Sequence, residues 1–206
     1  MNVYFIRHGE SEENLRKAFA GQCDSLLTET GRIEALAVKS MLENINFDKV
    51  YSSDLLRAVE TQKLALPCDN AEKLSLLREI DVGKKFERKT YAFLKETYGV
   101  SYEKDVADYN FIPYGGENYD MLEARVCEFL DMVKKENIEN VAVFSHGGFI
   151  NVVLGVILGC KVTNTKALSS NCGVSIFNYQ NGNWKLAGWN ISPGSGVNLN
   201  KNMLIL

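Results

Sequence analysis

The two histidines of this chain occupy the same kind of position, shortly after an apolar run and directly before a glycine. His8 follows the apolar run at residues 3–6 and Arg7, and His146 follows the run at residues 141–145. Short runs rich in Val, Ile, Phe and Tyr that end near glycine predict buried strands. Open α/β sheets bind their ligands beyond the carboxyl ends of such strands. Because a neutral imidazole is a nucleophile that forms covalent intermediates, we predict a reaction centre around both histidines.

Arginine and glutamate residues near other predicted element ends complete the candidate centre. Arg7 directly precedes His8, Arg57 lies in the first turn of a predicted helix, and Glu79 lies near the end of a strand predicted at 73–80. The carboxyl ends of parallel strands meet at one edge of a sheet, so we expect these side chains to converge with the histidines. Arg57 or Glu79 considered alone is more simply interpreted as a surface ion-pair residue. Their combination with both histidine motifs favours a site.

This set of side chains suits the transfer of a phosphoryl group. Arginine binds phosphate through planar, bidentate hydrogen bonds, and helix N-termini beginning near Gly9 and Gly147 would add backbone N–H donors toward an anion. A glutamate protonates the leaving oxygen and then removes a proton from water in a second step. Positioned cations would stabilise the transition state, so we expect neither a metal nor a cofactor.

Strands and helices alternate along the chain around these groups. Besides the elements named above, the sequence predicts helices at 10–17, 28–44, 54–66, 117–137 and from His146 to about 158, and strands at 48–52, 173–179 and 184–190. Thr28 and the Ser53-Asp54 pair are predicted N-caps, and Asn181-Gly182 between the last two strands is a strong hairpin signal. We predict a three-layer α/β/α fold with a mostly parallel central sheet, an antiparallel edge hairpin and a small helical insertion over the active site at about 84–116.

Composition fits a single domain over 1–206, with two small domains as the alternative. The hydrophobic fraction of 46% and the net charge of −3 predict an ordinary core and no nucleic-acid partner. Five cysteines without C-x-x-C spacing indicate reduced thiols and a cytoplasmic protein rather than a disulfide framework or a zinc site. The chain does not begin with a signal-peptide pattern. The apolar stretch at 141–160 contains polar residues and Gly-Gly, which favour strand–turn–helix over a membrane span.

Five blocks in order between residues 3 and about 160 resemble the motifs of the histidine phosphatase superfamily, also called the phosphoglycerate mutase-like family. They are residues 7–14 (R-H-G-E-S/T-x-x-N), 21–31 (G-Q-x-D followed by L-T-x-x-G), 52–61 (S-S-x-L-x-R-A-x-x-T), 77–83 (L-x-E-x-x-x-G) and 145–148 (S-H-G-G). Each block alone is a weak signal, whereas the ordered set is specific. The acid motif usually continues to Glu-Gly, but here Glu87 is followed by Arg88.

The resemblance implies a role for each matching residue. His8 would become phosphorylated, with Glu79 as the proton donor. The phosphate pocket and its substrate contacts would consist of Arg7, Arg57, His146, Asn14, Gly21, Gln22, Cys23 and the backbone N–H of Gly147. Members of the family need no metal.

Hydrolysis and phosphotransfer are both compatible with these motifs. Mutases of the family carry a longer insertion with adjacent arginines, and no Arg-Arg pair occurs here, which favours a phosphatase acting on small-molecule phosphomonoesters over a phosphoglycerate mutase. A phosphate-binding module without catalysis is a third, disfavoured interpretation, because nucleophile and acid are both present. A basic cluster, formed by Lys84, Lys85, Arg88 and Lys89, either binds a second anionic group of the substrate or belongs to a solvated loop. The natural substrate, for which α-ribazole phosphate is one candidate, and the oligomeric state stay open.

Overall fold

The computed structural model describes residues 1–195 and Leu199, and within them six strands and seven α-helices form an α/β fold. The strands are β1 (Asn2–Arg7), β2 (Lys49–Ser53), β3 (Glu72–Leu74), β4 (Asn140–Ser145), β5 (Val174–Gln180) and β6 (Asn183–Ile191). The helices are α1 (Glu12–Leu15), α2 (Glu29–Leu42), α3 (Leu56–Ala65), α4 (Tyr91–Tyr98), α5 (Ser101–Ala107), α6 (Tyr119–Lys134) and α7 (Gly147–Leu158). The final residues of the predicted domain, 196–198 and 200–206, lie outside the described residues.

The six strands form one mostly parallel sheet in the order β3-β2-β4-β1-β5-β6. The neighbours among β1 to β4 pair in parallel, whereas β5 pairs antiparallel with both β1 and β6. Asn181 and Gly182 join β5 to β6 with φ values of 53° and 81°, the positive φ pair that a two-residue hairpin of this kind needs. The predicted sheet and its edge hairpin are confirmed.

Strand β1 is buried on both faces, which explains its uninterrupted apolar sequence. Val3 and Phe5 pack into a cluster with residues of α6 and α7, and Tyr4 and Ile6 pack into a second cluster with residues of α2. Helices therefore cover both faces of the sheet. This is the predicted three-layer arrangement, and polar residues follow the buried apolar parts of β1 and β4 at their carboxyl ends.

The third strand is much shorter than the sequence predicted, and the interpretation of 73–80 as one strand is wrong. β3 ends at Leu74, and Ser75–Leu77 forms a 3₁₀ turn. The buried side chain of Leu77 packs in the apolar core, and the chain leaves the sheet as it carries Leu77 there. Glu79 consequently lies on an irregular segment and not on a strand.

Thr28 caps α2 as predicted, but the Ser53-Asp54 pair does not cap α3. The Thr28 side chain accepts a hydrogen bond from the Gly31 N–H at 3.0 Å. The N-cap of α3 is Leu55, without a side-chain cap. Ser53 instead contacts His146, and Asp54 forms a bidentate pair with Arg78. The capping prediction is wrong because both side chains are engaged with other elements.

Helices α4 and α5 and a 3₁₀ turn at Ile112–Tyr114 occupy the segment predicted as an insertion. Its aromatic residues are mostly packed around the fully buried ring of Phe86; they are Tyr98, Tyr102, Phe111 and Tyr114, together with Phe19. Tyr109 is buried, its hydroxyl accepts from the Asn164 N–H at 3.1 Å, and burial and the charge of Glu79 together raise its pKa. Within residues 1–195 and 199, no helix is long and apolar enough to cross a membrane.

Candidate active site

The structure brings both histidines and Arg57 into contact at the carboxyl ends of β1 and β4. The His8 and His146 rings lie 5.1 Å apart between centroids, and Arg57 Nε donates to His8 Nε2 at 3.2 Å. His8 is 4% exposed, and both His146 and Arg57 are 0% exposed. The two predicted strand ends therefore meet as expected.

Hydrogen bonds assign the tautomer of His8. Its Nδ1 lies 2.7 Å from the carbonyl oxygen of Gly9. A carbonyl only accepts, so Nδ1 carries the proton and Nε2 presents a lone pair. The carbonyl of His8 itself accepts hydrogen bonds from the Asn171 side chain at 3.0 Å and the Cys172 N–H at 3.3 Å. The unprotonated Nε2 lies beside Arg57, whose Nε–H donates to it in this structure, and it is the ring nitrogen able to act as a nucleophile.

One ring nitrogen of His146 contacts Ser53, and the other has no hydrogen-bond partner among the described residues. Its Nε2 lies 2.8 Å from the Ser53 hydroxyl, which also accepts from the Leu55 N–H. This contact fixes the orientation of the imidazole ring. His146 Nδ1 is buried and has no hydrogen-bond partner among the described residues.

Both imidazoles are held neutral. Burial lowers the pKa of His8 well below 6.5, and Arg57 and Arg7 lower it further. Burial likewise lowers the pKa of His146 well below 6.5, with Arg57 and His8 as the next causes. A buried base surrounded by cations resists a further positive charge. His8 is therefore in the nucleophilic form throughout the neutral pH range.

We expect the neutral burial of the two histidines to make the protein less stable as the pH is lowered. Between the folded-state pKa and the unfolded value near 6.5, the unfolded chain binds more protons, so each histidine lowers the free energy of unfolding by about 1.4 kcal/mol per pH unit. Urea unfolding at about pH 7.5 and about pH 5.5 measures this loss. His146→Gln should show a shallower pH dependence than wild type, and equal slopes would contradict the neutral burial of His146.

Arg57 is held in place by the loop at residues 21–23, which the family resemblance predicts to contact the phosphate. Its two terminal nitrogens donate to the carbonyls of Cys23, at 2.9 Å, and Gly21, at 2.7 Å. Gly21 adopts a φ of +49°, a conformation that glycine accepts without strain. The Gly21 and Cys23 carbonyls therefore orient Arg57 in this structure. They do not bind the phosphate themselves, because a carbonyl oxygen is a hydrogen-bond acceptor and repels an anion.

Arg7 leaves a donor free on the same side of the sheet. One terminal nitrogen donates to the Ser169 carbonyl, whereas Nε is buried and has no partner among the described residues. A Cβ placed on Gly147, at the start of α7, would lie 3.4 Å from Arg7 Nε. The guanidinium therefore lies against the N-terminus of α7, beside His146.

Glu79 reaches the same helix N-terminus despite its irregular segment. One carboxylate oxygen accepts from the Ile80 N–H at 2.9 Å, and the other accepts from the Gly148 N–H at 3.0 Å. A Cβ on Gly148 would overlap with this carboxylate, so only glycine permits the approach. The prediction that Glu79 joins the histidines is supported by geometry, although by a different local structure.

Asn14 and Gln22 lie at the margin of the centre and act on its backbone. Asn14 Oδ1 accepts from the Ser11 N–H and from the Asn171 side chain, each at 3.2 Å. Gln22 Nε2 donates to the Glu79 carbonyl at 3.1 Å. Their direct contact with a substrate stays a prediction.

Sequence reasoning missed three residues that build the centre: Ser53, Asn171 and Arg125. Ser53 was interpreted as a helix cap, and Asn171 lies in a loop without a recognisable pattern. Arg125 is different, because it stands at helical spacing between Leu122 and Phe129 on the apolar side of α6. A charged residue beside the buried stripe of an amphipathic helix is a signal that it has a buried partner.

Comparison with known proteins identifies the family. The sequence model of the histidine phosphatase superfamily (branch 1) matches residues 3–192. The chain belongs to the histidine phosphatase superfamily. Its curated relatives include the probable phosphoglycerate mutase GpmB of Photorhabdus laumondii, with 30% identity over 96% of this chain and 94% of the relative.

Two solved structures of the superfamily share the fold. The mycobacterial glucosyl-3-phosphoglycerate phosphatase in complex with VO₃ has 26% identity and a TM-score of 0.82, covering 93% of this chain and 99% of that one. A mutant phosphoserine phosphatase of Entamoeba histolytica in complex with phosphoserine has 28% identity and a TM-score of 0.78, covering 92% and 96%.

The four side chains of the basic cluster each contact a different partner in this structure. Lys84 pairs with Glu87 at 2.5 Å, Lys85 donates to a backbone carbonyl, Arg88 donates to the Asp24 carbonyl, and Lys89 lies over the Phe93 ring. Arg88, which replaces the glycine usual after the acid motif, has a φ of 61°. Its backbone therefore keeps the left-handed conformation that glycine would favour.

Proposed function

We propose that this chain is a metal-independent phosphatase that hydrolyses small phosphomonoesters through a phosphohistidine on His8, with Glu79 as proton donor. One observation carries the proposal: beside the His8 and His146 rings, whose centroids lie 5.1 Å apart, Arg7 Nε and His146 Nδ1 are both buried without a partner among the described residues. Buried polar atoms are nearly always hydrogen-bonded, and Nε of arginine is always a donor, so the free Arg7 N–H implies a missing acceptor next to the nucleophile. A phosphoryl group supplies such oxygens.

The proposed reaction has two balanced steps. In the first, His8 Nε2 bonds to phosphorus, the bond from phosphorus to the leaving oxygen breaks, and Glu79 gives that oxygen its proton. In the second, Glu79 removes a proton from water, the water oxygen bonds to phosphorus, and the P–N bond breaks to release inorganic phosphate. Arg7 and Arg57, whose charges lie in a water-poor site, stabilise the charge on the transferred group in both steps.

We assign supporting roles to the remaining predicted residues. The Gly147 N–H at the start of α7 binds a phosphate oxygen, as helix N-termini do. We assign Asn14 and Gln22 to contacts with the substrate, whereas Gly21 and Cys23 act through Arg57. We expect a small-molecule partner, no nucleic acid, in keeping with the net charge of −3, and a cytoplasmic location, in keeping with five free cysteines.

The neighbourhood of the centre supports hydrolysis over phosphotransfer. A phosphoglycerate mutase must also bind the substrate carboxylate, for which arginine is suited. Arg78 near the centre is already paired with Asp54 at 2.6 Å, and the basic cluster is dispersed. The curated relative is named a probable phosphoglycerate mutase, whereas the two solved structures are named phosphatases. Mutase activity is therefore the second candidate.

Phosphate release from p-nitrophenyl phosphate in EDTA tests the proposed function. We expect turnover without added metal, and hydrolysis faster than the conversion of 3-phosphoglycerate when 2,3-bisphosphoglycerate is supplied. Isomerisation that outpaces hydrolysis would establish the mutase instead. Absence of both activities, with phosphate binding retained, would indicate a non-catalytic phosphate-binding module.

A further inference from the structure

Every N–H group of the Arg125 guanidinium donates a hydrogen bond to Glu117 or to the backbone near Glu79. Nε donates to Glu117 at 3.0 Å, and one terminal nitrogen donates to the carbonyls of Leu76, at 2.8 Å, and Arg78, at 3.0 Å. The other terminal nitrogen donates to the Glu79 carbonyl at 3.3 Å and to Glu117 at 2.8 Å. A guanidinium has five N–H donors in a fixed plane, and all five are used here.

These hydrogen bonds take the place of those that a neighbouring strand would form if β3 continued beyond Leu74. The segment from Ser75 to Glu79 has left the sheet, and side chains donate to its carbonyl groups: Ser145 to that of Leu77, Gln22 to that of Glu79, and Arg125 to those of residues 76, 78 and 79. Arg125 is 18% exposed and its partner Glu117 15% exposed, so both are largely shielded from water. Buried carbonyls without donors would cost stability, and a planar cation that bonds three of them holds the segment in one geometry.

Glu117 extends the contact to the other side of Glu79. One of its oxygens accepts from Arg125 and also from the Asp81 N–H, at 2.9 Å. The backbone is therefore held at residues 76, 78 and 79 by Arg125 and at residue 81 by Glu117. The backbone is thus held on both sides of the residue whose carboxylate contacts the Gly148 N–H.

We infer that Arg125, together with Glu117, is a positioning residue that aims Glu79 at the leaving oxygen. The inference rests on the proposed function, because it assumes that Glu79 is the proton donor. Its consequence is selective: losing Arg125 should impair protonation of the leaving group and spare the attack of His8. A misplacement of about 1 Å is enough to cost about 10²-fold in rate.

The test compares two substrates in wild type, Arg125→Gln and Arg125→Lys. For an alkyl phosphate, whose poor leaving group needs protonation, we expect kcat/KM to fall by about 10²-fold in Arg125→Gln. For p-nitrophenyl phosphate, whose leaving group needs little protonation, we expect a fall of less than about fivefold. Lysine keeps the charge but not the planar fork, so it should not rescue the alkyl phosphate activity.

Three controls make the result decisive. Arg32→Gln removes an arginine–glutamate pair between α2 and α3, with Glu60, and should leave both activities unchanged. In Glu79→Gln, the further change Arg125→Gln should cause no additional loss if Arg125 acts only through Glu79. If neither Arg125 variant folds, Glu117→Gln is judged by the same ratio of activities.

Different experimental results would contradict the positioning role of Arg125 and the proposed function. Equal losses on both substrates, or no loss, would overturn the positioning role while phosphatase activity of the wild type stands. A wild type without phosphatase activity would overturn the proposed function itself.

Discussion

Replacing His8 with alanine should reduce kcat/KM for p-nitrophenyl phosphate by at least about 10⁴-fold, the order of loss that follows removal of a covalent nucleophile. His8 has the attributes that nucleophilic attack needs. Its proton is held on Nδ1 by the Gly9 carbonyl, its Nε2 faces Arg57, and its pKa lies well below 6.5. The variant cannot form the phosphohistidine, so hydrolysis would require direct attack of water on the bound phosphomonoester.

Trapping the intermediate makes this prediction sharper than an activity assay. The chain has two histidines, so a phosphohistidine formed from radiolabelled substrate can reside only on His8 or His146. After rapid quenching, we expect label that is stable to base and labile to acid in wild type and in His146→Gln. Label that persists in His8→Ala, or activity that survives there, would place the nucleophile elsewhere.

The positions of His8 and His146 were predictable because a strand buried on both faces is a strong local signal. In β1, Val3 and Phe5 face one layer of helices while Tyr4 and Ile6 face the other. Such a run has to lie in the middle of the sheet, and the polar residue that follows it has to emerge at the sheet edge. Two runs of this kind, each ending in histidine, therefore identify the same edge.

The path of the chain around Glu79 was not predictable from local sequence. The sequence of residues 73–80 suits a strand, whereas the packing of Leu77 in the core and the contact from α6, far away in sequence, accompany the end of the strand at Leu74. Arg125 supplies the hydrogen bonds that a sheet neighbour would have supplied. In the same way, Ser53 has the sequence of a helix cap, but its hydroxyl contacts His146 and the Leu55 N–H, and α3 has no side-chain cap. Side chains near the centre contact residues that are distant in sequence, and secondary-structure propensities do not take such contacts into account.

Glu79→Gln should show that one carboxylate serves both steps of the reaction. The amide keeps the size of the side chain and can still accept from the Gly148 or Ile80 N–H, but it transfers no proton. Because kcat/KM includes only steps up to formation of the phosphohistidine, we expect it to fall by about 10²–10⁴-fold for an alkyl phosphate. For p-nitrophenyl phosphate, the same parameter should fall far less.

The second step gives Glu79→Gln an opposite signature that an unfolded or distorted variant cannot imitate. Without a base to deprotonate water, hydrolysis of the phosphohistidine slows, so with radiolabelled p-nitrophenyl phosphate the variant should accumulate more label on His8 than wild type does. Glu60→Gln makes the same carboxylate-to-amide change in an ion pair with Arg32 away from the centre, and it should alter neither kcat/KM nor labelling. If Glu79→Gln loses activity equally on both substrates and accumulates no label, Glu79 is not the proton-transfer group, and the acid must be sought among the other side chains that border the His8 pocket.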